Sequence, residues 1–144
     1  RQDPNGPYAA VIPLFIKKLI NHESPEINGD GSYSRDFTHI NNVIQMNMLS
    51  ILTENNNSVN QIYNTACGER TTLIELIDYI KHFLAENNID VKNIKNIHRG
   101  NRLGDIPHSL ASITKAKKLL GYNPKFKIKK GIEESISWYI KHLP

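Results

Sequence analysis

The segment from Thr72 to Leu84 constrains this chain most. Thr72 and Glu75 stand three apart, the spacing of a capping box in which each side chain satisfies a backbone N–H at the start of a helix. Leu73, Leu76, Ile77, Ile80, Phe83 and Leu84 then recur at helical spacing. A helix of this kind has a wide apolar face that must be buried against other elements. Weaker versions of the pattern lie on both sides. Ile12, Phe15, Ile16, Leu19 and Ile20 predict a helix over residues 9–21, with Pro13 in the first turn, where a missing N–H costs nothing. From Ile40, apolar side chains at Val43, Ile44, Met48, Ile51 and Leu52 predict a second helix, stopped by Asn55-Asn56-Asn57-Ser58. Residues 112–120 predict a short helix closed by Gly121, and Ile132, Ile136, Tyr139, Ile140 and Leu143 predict the last one.

Between these helices only short extended segments fit. Glu26-Ile27-Asn28 and the run from Tyr33 to His39 flank Gly29-Asp30-Gly31, and an Asp-Gly pair between extended segments signals a hairpin. Gln61 to Thr65 and residues 94–98 read as further strands, and Arg1 to Pro7 as a polar loop. The pattern is mixed α/β, with no internal repeat. The strands are too few and too short for a full doubly wound sheet. No strand, glycine-rich loop and helix follow one another, so a self-contained dinucleotide site is not encoded. A polar loop ahead of the first element suggests a chain cut from something longer.

A length of 144 residues is enough for one domain with a real core. No apolar run approaches the roughly 18 residues that span a bilayer, and no cleavable leader pattern is visible. The expectation is a cytoplasmic location without a membrane partner. Net charge is +4, and the cations crowd the end of the chain, at Lys115, Lys117, Lys118, Lys125, Lys127, Lys129 and Lys130. A solvated helix face is the first reading of that run, and a phosphate-facing surface the alternative.

Few residue sets suggest chemistry. Cys67, the single cysteine, has no partner for a disulfide or a zinc cluster and reads as a small residue in the Ala66-Cys67-Gly68 turn. His22, His39, His82, His98, His108 and His142 lie at no zinc-site spacing. Asn28-Gly29-Asp30-Gly31 starts like a calcium loop, but the twelfth position holds His39 instead of an acid. No Gly-x-Ser-x-Gly elbow surrounds any serine. Three arginines stand out by context: Arg35 before Asp36, Arg70 between a strand and a helix start, and Arg102 in Arg102-Leu103-Gly104-Asp105. Each reads first as a surface ion-pair residue. The alternative is convergence on an anion, because the guanidinium fork holds phosphate oxygens at two points.

Several stretches, in order and with agreeing spacing, resemble one family. Gln2-Asp3-Pro4-Asn5-Gly6 with Tyr8-Ala9-Ala10-Val11-Ile12-Pro13, Ile27-Asn28-Gly29-Asp30-Gly31, Ser34-Arg35-Asp36-Phe37, Tyr63-Asn64, Gly68-Glu69-Arg70-Thr71, Arg102-Leu103-Gly104-Asp105, His108-Ser109 and Lys115-Ala116 are similar to UDP-N-acetylglucosamine 4-epimerases of the extended short-chain dehydrogenase/reductases. The resemblance runs from end to end of the chain. It implies an α/β fold: the C-terminal substrate-binding part, residues 1–144 as one domain, without the N-terminal Rossmann half. It also implies roles. Ala10 and Val11 match the segment lining the uridine and diphosphate side, and Phe15 an aromatic closing the pocket. Glu26 and Asn28 match positions on the uracil. Arg35 and Arg102 match the diphosphate arginines, and Asp105 an acid near the ribose. Arg70 and Ser109 match positions near nucleotide or sugar, and Gln2 one near the sugar.

The departures are equally specific. The family's acid/base pair is Tyr-x-x-x-Lys, and no tyrosine here has a lysine four positions on. Pro107 stands where the subgroup often has a basic residue. The resemblance therefore implies no catalytic residue and no metal in this chain, and a full-length parent that uses NAD, with none bound by this part. That parent is expected to be a homodimer that epimerises a UDP-N-acetylhexosamine or its uronic acid for surface polysaccharide, the part alone being inactive. The alternatives are a 4,6-dehydratase or decarboxylase of the same family, or a nucleic-acid-binding module, which the resemblance disfavours.

Overall fold

A computed structural model describes Gln2 and residues 10–143 of the chain. Its elements run α1 (Val11–Ile20), β1 (Glu26–Asn28), β2 (Ser34–Arg35), α2 (Ile40–Leu52), β3 (Thr71–Thr72), α3 (Leu73–Glu86), β4 (Ile97–Arg99), α4 (Thr114–Leu120) and α5 (Ile128–His142). The chain divides into two compact units. The first takes its described residues from Arg1–Tyr33, Thr72–Pro107 and Ile132–Pro144, and the second consists of Ser34–Thr71 and His108–Gly131.

The first unit is built around α3. Its capping box forms as the spacing predicts: the Thr72 hydroxyl accepts from the Glu75 N–H at 3.2 Å, and the Glu75 carboxylate accepts from the Thr72 N–H at 2.7 Å. The helix buries Leu76, Ile77, Ile80, Phe83 and Leu84 and packs on α1, which buries Phe15, Ile16 and Leu19. Val91, Ile132, Ile136, Tyr139 and Leu143 are also buried in this unit. Bonds from the Thr72 backbone and hydroxyl hold the Glu75 carboxyl below its ordinary value of 4.5. A depressed carboxyl stabilises the fold above its unfolded value and loses that effect as pH falls through its folded value. Thr72→Ala should cost about 1 kcal/mol. The melting-temperature gap between wild type and Glu75→Ala should shrink as pH is lowered through and below the ordinary carboxyl value of 4.5, in thermal scans followed by circular dichroism.

The strands differ from expectation. Gly29-Asp30-Gly31 does not fold β1 back into a hairpin. Strand β1 pairs in parallel with β4, Glu26 facing Ile97 and Asn28 facing Arg99, while β2 pairs with β3. The Asp30 carboxylate accepts from the Ser32 N–H and hydroxyl instead, at 2.9 and 2.6 Å, a local turn that sends the chain onward rather than back. Gln61 to Thr65 is not a strand: it joins no ladder, and Ile62 is 89 % exposed. The predicted strand at 94–98 is β4, displaced toward Arg99.

The second unit closes a smaller core of Met46, Ala66, Ile113, Ala116, Leu120 and Tyr122. Gly121 ends α4 in the left-handed conformation, as its position after the apolar run predicts. Asn42, on α2, is 1 % exposed. Its side-chain amide donates to the Phe126 carbonyl at 2.9 Å, and its oxygen accepts from the Phe126 N–H at 3.1 Å. The Tyr122 hydroxyl donates to the Ala66 carbonyl at 2.8 Å, and burial pushes that phenol up to about 12.

Candidate functional site

In the second unit, β2 ends on Arg35, a half-buried residue whose Nη1 donates to the Ser34 carbonyl at 2.9 Å. The same carbonyl accepts from the Ser109 N–H at 3.1 Å. The Ser34 hydroxyl lies 2.9 Å from the His108 Nδ1. Arg35 and Ser109 are thus brought together by one residue between β2 and the His108-Ser109 segment. Arg70 is exposed and stands two residues beyond Gly68.

The turn leading to Arg70 is fixed from the neighbouring strand. One oxygen of the Asp36 carboxylate accepts from the Cys67 N–H at 2.8 Å, the other from the Gly68 N–H at 2.9 Å. Gly68 has φ +69°, and a Cβ there would press on Ile113, so only glycine passes through this turn without strain. Lys127 bridges the Cys67 carbonyl and the Glu69 carboxylate, at 3.2 and 2.6 Å. Cys67 is buried, its sulfur bonded to the Phe37 carbonyl, and burial raises its thiol above the ordinary value. A thiol of that kind is a poor nucleophile.

The first unit gathers a second group. Glu26 and Asn28 lie on β1, and Arg99 on β4 reaches Glu26 with Nε 3.2 Å from the carboxylate. That contact, more than anything else, holds the Glu26 carboxyl below its usual range. Gly29 follows with φ +74°, and a Cβ there would strike the Asn101 side chain. Its N–H donates to the Arg99 carbonyl at 3.0 Å. The close approach of these loops leads to Arg102, whose carbonyl accepts from the Asp105 N–H at 3.2 Å to close a turn. Arg102 is exposed and Asp105 half-buried.

The remaining predicted residues are on or near α1. Ala10 is its N-cap and Val11 its first residue, while Phe15 is 4 % exposed within the core. The Gln2 N–H donates to the Tyr139 hydroxyl at 3.3 Å. The Asp3-Pro4-Asn5-Gly6 and Tyr8-Ala9 parts of the motif, and so the first residue of the predicted 9–21 helix, lie outside the described residues. Of the C-terminal lysines, Lys127 pairs with Glu69, Lys115 donates to Gln61, and Lys130 sits over the Phe126 ring. Among the described residues no three His, Cys, Asp or Glu side chains gather as a metal site, and no helix is long and apolar enough to cross a membrane.

Two contributors escaped the sequence reading. Arg99 becomes visible only through the parallel β1–β4 register, which no local pattern encodes. Asp36 belonged to a recognised motif, but nothing in the sequence showed that its partners are backbone N–H groups at Cys67 and Gly68.

Residues 2–135 match the GDP-mannose 4,6-dehydratase family. The chain belongs to that family. The GDP-mannose 4,6-dehydratase family falls within the extended short-chain dehydrogenase/reductases, and the resemblance of the motifs is supported along the whole chain. A putative UDP-glucose 4-epimerase of Methanocaldococcus jannaschii is 34% identical over 138 residues, covering 96% of this chain and 41% of that protein. A structure of UDP-N-acetylglucosamine 4-epimerase from Methanobrevibacter ruminantium, in complex with UDP-N-acetylmuramic acid, superposes with a TM-score of 0.83 at 36% identity, covering 98% of this chain and 42% of that one. UDP-glucose 4-epimerase from Thermotoga maritima, with UDP-glucose, gives 0.83 at 29% identity, covering 100% and 43%. The α/β architecture is therefore that of these family members, and the chain spans about two fifths of their length.

Proposed function

We propose that this chain is the nucleotide-sugar-recognising part of an NAD-dependent UDP-sugar 4-epimerase, acting on a UDP-N-acetylhexosamine or its uronic acid for surface polysaccharide. The observation that carries the reading is the end-to-end match to a 4-epimerase solved with a UDP-sugar, together with the placement of the motif arginines. Arg35 is tied to Ser109 through the Ser34 carbonyl, and Arg70 follows a turn fixed by Asp36. A UDP diphosphate carries about two negative charges, and charge-assisted contacts to it are strong. In this reading Arg35 and Arg102 hold the diphosphate, with Arg70 and Ser109 beside it. Glu26 and Asn28 address the base, and Asp105 the ribose. Ala10 and Val11 supply the apolar side, with Phe15 packed in the core beneath them, and Gln2 lies toward the sugar.

The described residues do not fit NAD. No glycine-rich loop joins a strand to a helix here, the arrangement that seats a pyrophosphate. The dinucleotide is assigned to the remainder of a polypeptide of the relatives' length, together with the acid/base chemistry, and this chain supplies binding and orientation. Residues 1–144 act as one substrate-binding domain in that polypeptide, and alone bind UDP-sugar weakly without turnover, since part of the pocket is lacking. Arg35→Ala and Arg102→Ala, each made in the complete polypeptide, should weaken UDP binding by about 1.5–3 kcal/mol in calorimetry. Unchanged affinity in both variants would remove the phosphate assignment. Chromatographic identification of the product as the 4-epimer tests the reaction, and a 6-deoxy or decarboxylated sugar would overturn it.

A further inference from the structure

Arg35 is held from both flanks, and one flank depends on His108. The strand that carries Arg35 is two residues long, too short for its ladder alone to fix a side chain. After it, the Asp36 carboxylate is bonded to the Cys67 and Gly68 N–H groups. Before it, Ser34 is 4 % exposed, and its hydroxyl lies 2.9 Å from the His108 Nδ1. Ser34 and His108 also meet in a single parallel backbone bridge. Neither belongs to the apolar core of the unit. The Ser34 carbonyl accepts from the Arg35 Nη1 at 2.9 Å and from the Ser109 N–H at 3.1 Å. The direction of the side-chain bond follows from burial. A buried hydroxyl proton without an acceptor costs free energy, and the His108 Nδ1 is the acceptor that this hydroxyl reaches among the described residues. Ser34 therefore donates, Nδ1 accepts, and a neutral imidazole keeps its proton on Nε2.

We propose that His108 is a positioning residue for nucleotide-sugar binding: through the Ser34 hydroxyl it holds the backbone from which Arg35 and Ser109 address the diphosphate. The inference rests on the UDP-sugar function proposed above and deepens it with a residue that acts through another. The guanidinium fork meets phosphate oxygens at two points, so its contact is sensitive to the direction from which it is presented, and small misplacements of a binding group are costly. Ser34 sets that direction twice, by its carbonyl on the Arg35 side chain and by its own place in the strand. His108 fixes Ser34 by the side-chain bond and the backbone bridge together.

The test is calorimetry with UDP on the complete polypeptide, with uridine titrated by NMR as a probe that lacks phosphate. His108→Ala and Ser34→Ala should each weaken UDP binding about five- to ten-fold and leave uridine affinity within about two-fold of wild type. The double variant should lose about as much as the worse single variant, because both residues belong to one contact. His108→Asn places an amide where Nδ1 stood and should keep UDP affinity within about two-fold of wild type, whereas His108→Gln, whose amide falls where Nε2 stood, should not. Unchanged UDP affinity in His108→Ala would overturn the proposal. So would equal losses for UDP and uridine, which assign the pair to general stability, or additive losses in the double variant. Rescue by glutamine in place of asparagine would overturn it as well, because it puts Nε2 on the ligand itself. Should Ser34→Ala fail to fold, the comparison of asparagine with glutamine at His108, an exposed position, decides alone. Loss of UDP affinity in Arg35→Ala with full affinity in His108→Ala would sink this inference and leave the functional reading intact.

Discussion

Asn42→Asp is expected to destabilise the fold by about 4 kcal/mol, and Asn42→Ala by about 3 kcal/mol, in urea titrations of the 144-residue chain. Asn42 closes a two-point contact with the backbone of Phe126, donating at 2.9 Å and accepting at 3.1 Å, and it also reaches the Cys67 sulfur. Alanine leaves the Phe126 N–H and carbonyl without those partners. Aspartate does worse, because a carboxylate has no N–H to give and points an oxygen at the Phe126 carbonyl in a site that is 1 % exposed. Domains of this size are stable by only about 5–15 kcal/mol, so either change takes a large share. A loss below about 1 kcal/mol for both variants would show that the contact is replaceable by water.

Asp36→Ala should lower stability by about 2–4 kcal/mol and release the turn ahead of Arg70. The two carboxylate oxygens accept from consecutive N–H groups at Cys67 and Gly68, and alanine accepts from neither. Asp36→Asn keeps one acceptor and turns an NH2 toward the other N–H, so an intermediate loss is expected. Amide exchange reads the effect directly. The Gly68 N–H should exchange much faster in Asp36→Ala, while amides of α3, in the other unit, change only with global stability. Uniform acceleration across the chain would mean that Asp36 acts on overall stability and not on this turn.

Locally encoded features were legible. The capping box of Thr72 and Glu75 needs only residues three apart, and it forms. Gly121 ends α4 because the last helical turn itself demands a left-handed residue there. Strand pairing was not legible. Asp30 has the right neighbour for a hairpin, yet its carboxylate is taken by Ser32, and the partner of β1 is a strand far along the chain. The run at Gln61 to Thr65 had the composition of a strand but no neighbour to pair with. For the candidate site, the arginines could be picked out by context, whereas the groups that position them could not. Asn42 looks like any polar residue on a helix, and nothing near it in sequence announces Phe126. The resemblance to a family supplied what periodicity could not, the reason that scattered arginines belong together.

The interleaving of the two units governs the order in which the molecule can be made. The chain passes from one unit to the other after Tyr33, Thr71, Pro107 and Gly131, so neither is a continuous stretch of polypeptide. On a ribosome, the first unit waits for Ile132, Ile136, Tyr139 and Leu143, buried side chains that emerge after all of the second unit. Until then α1 and α3 can pair but the core of their unit is incomplete, and the second unit can finish first. Parallel pairing of β1 with β4 adds a long loop to close before it returns any stability. Partly made, such a segment leaves apolar surface open to aggregation, and deleting α5 removes residues that complete the core of the first unit.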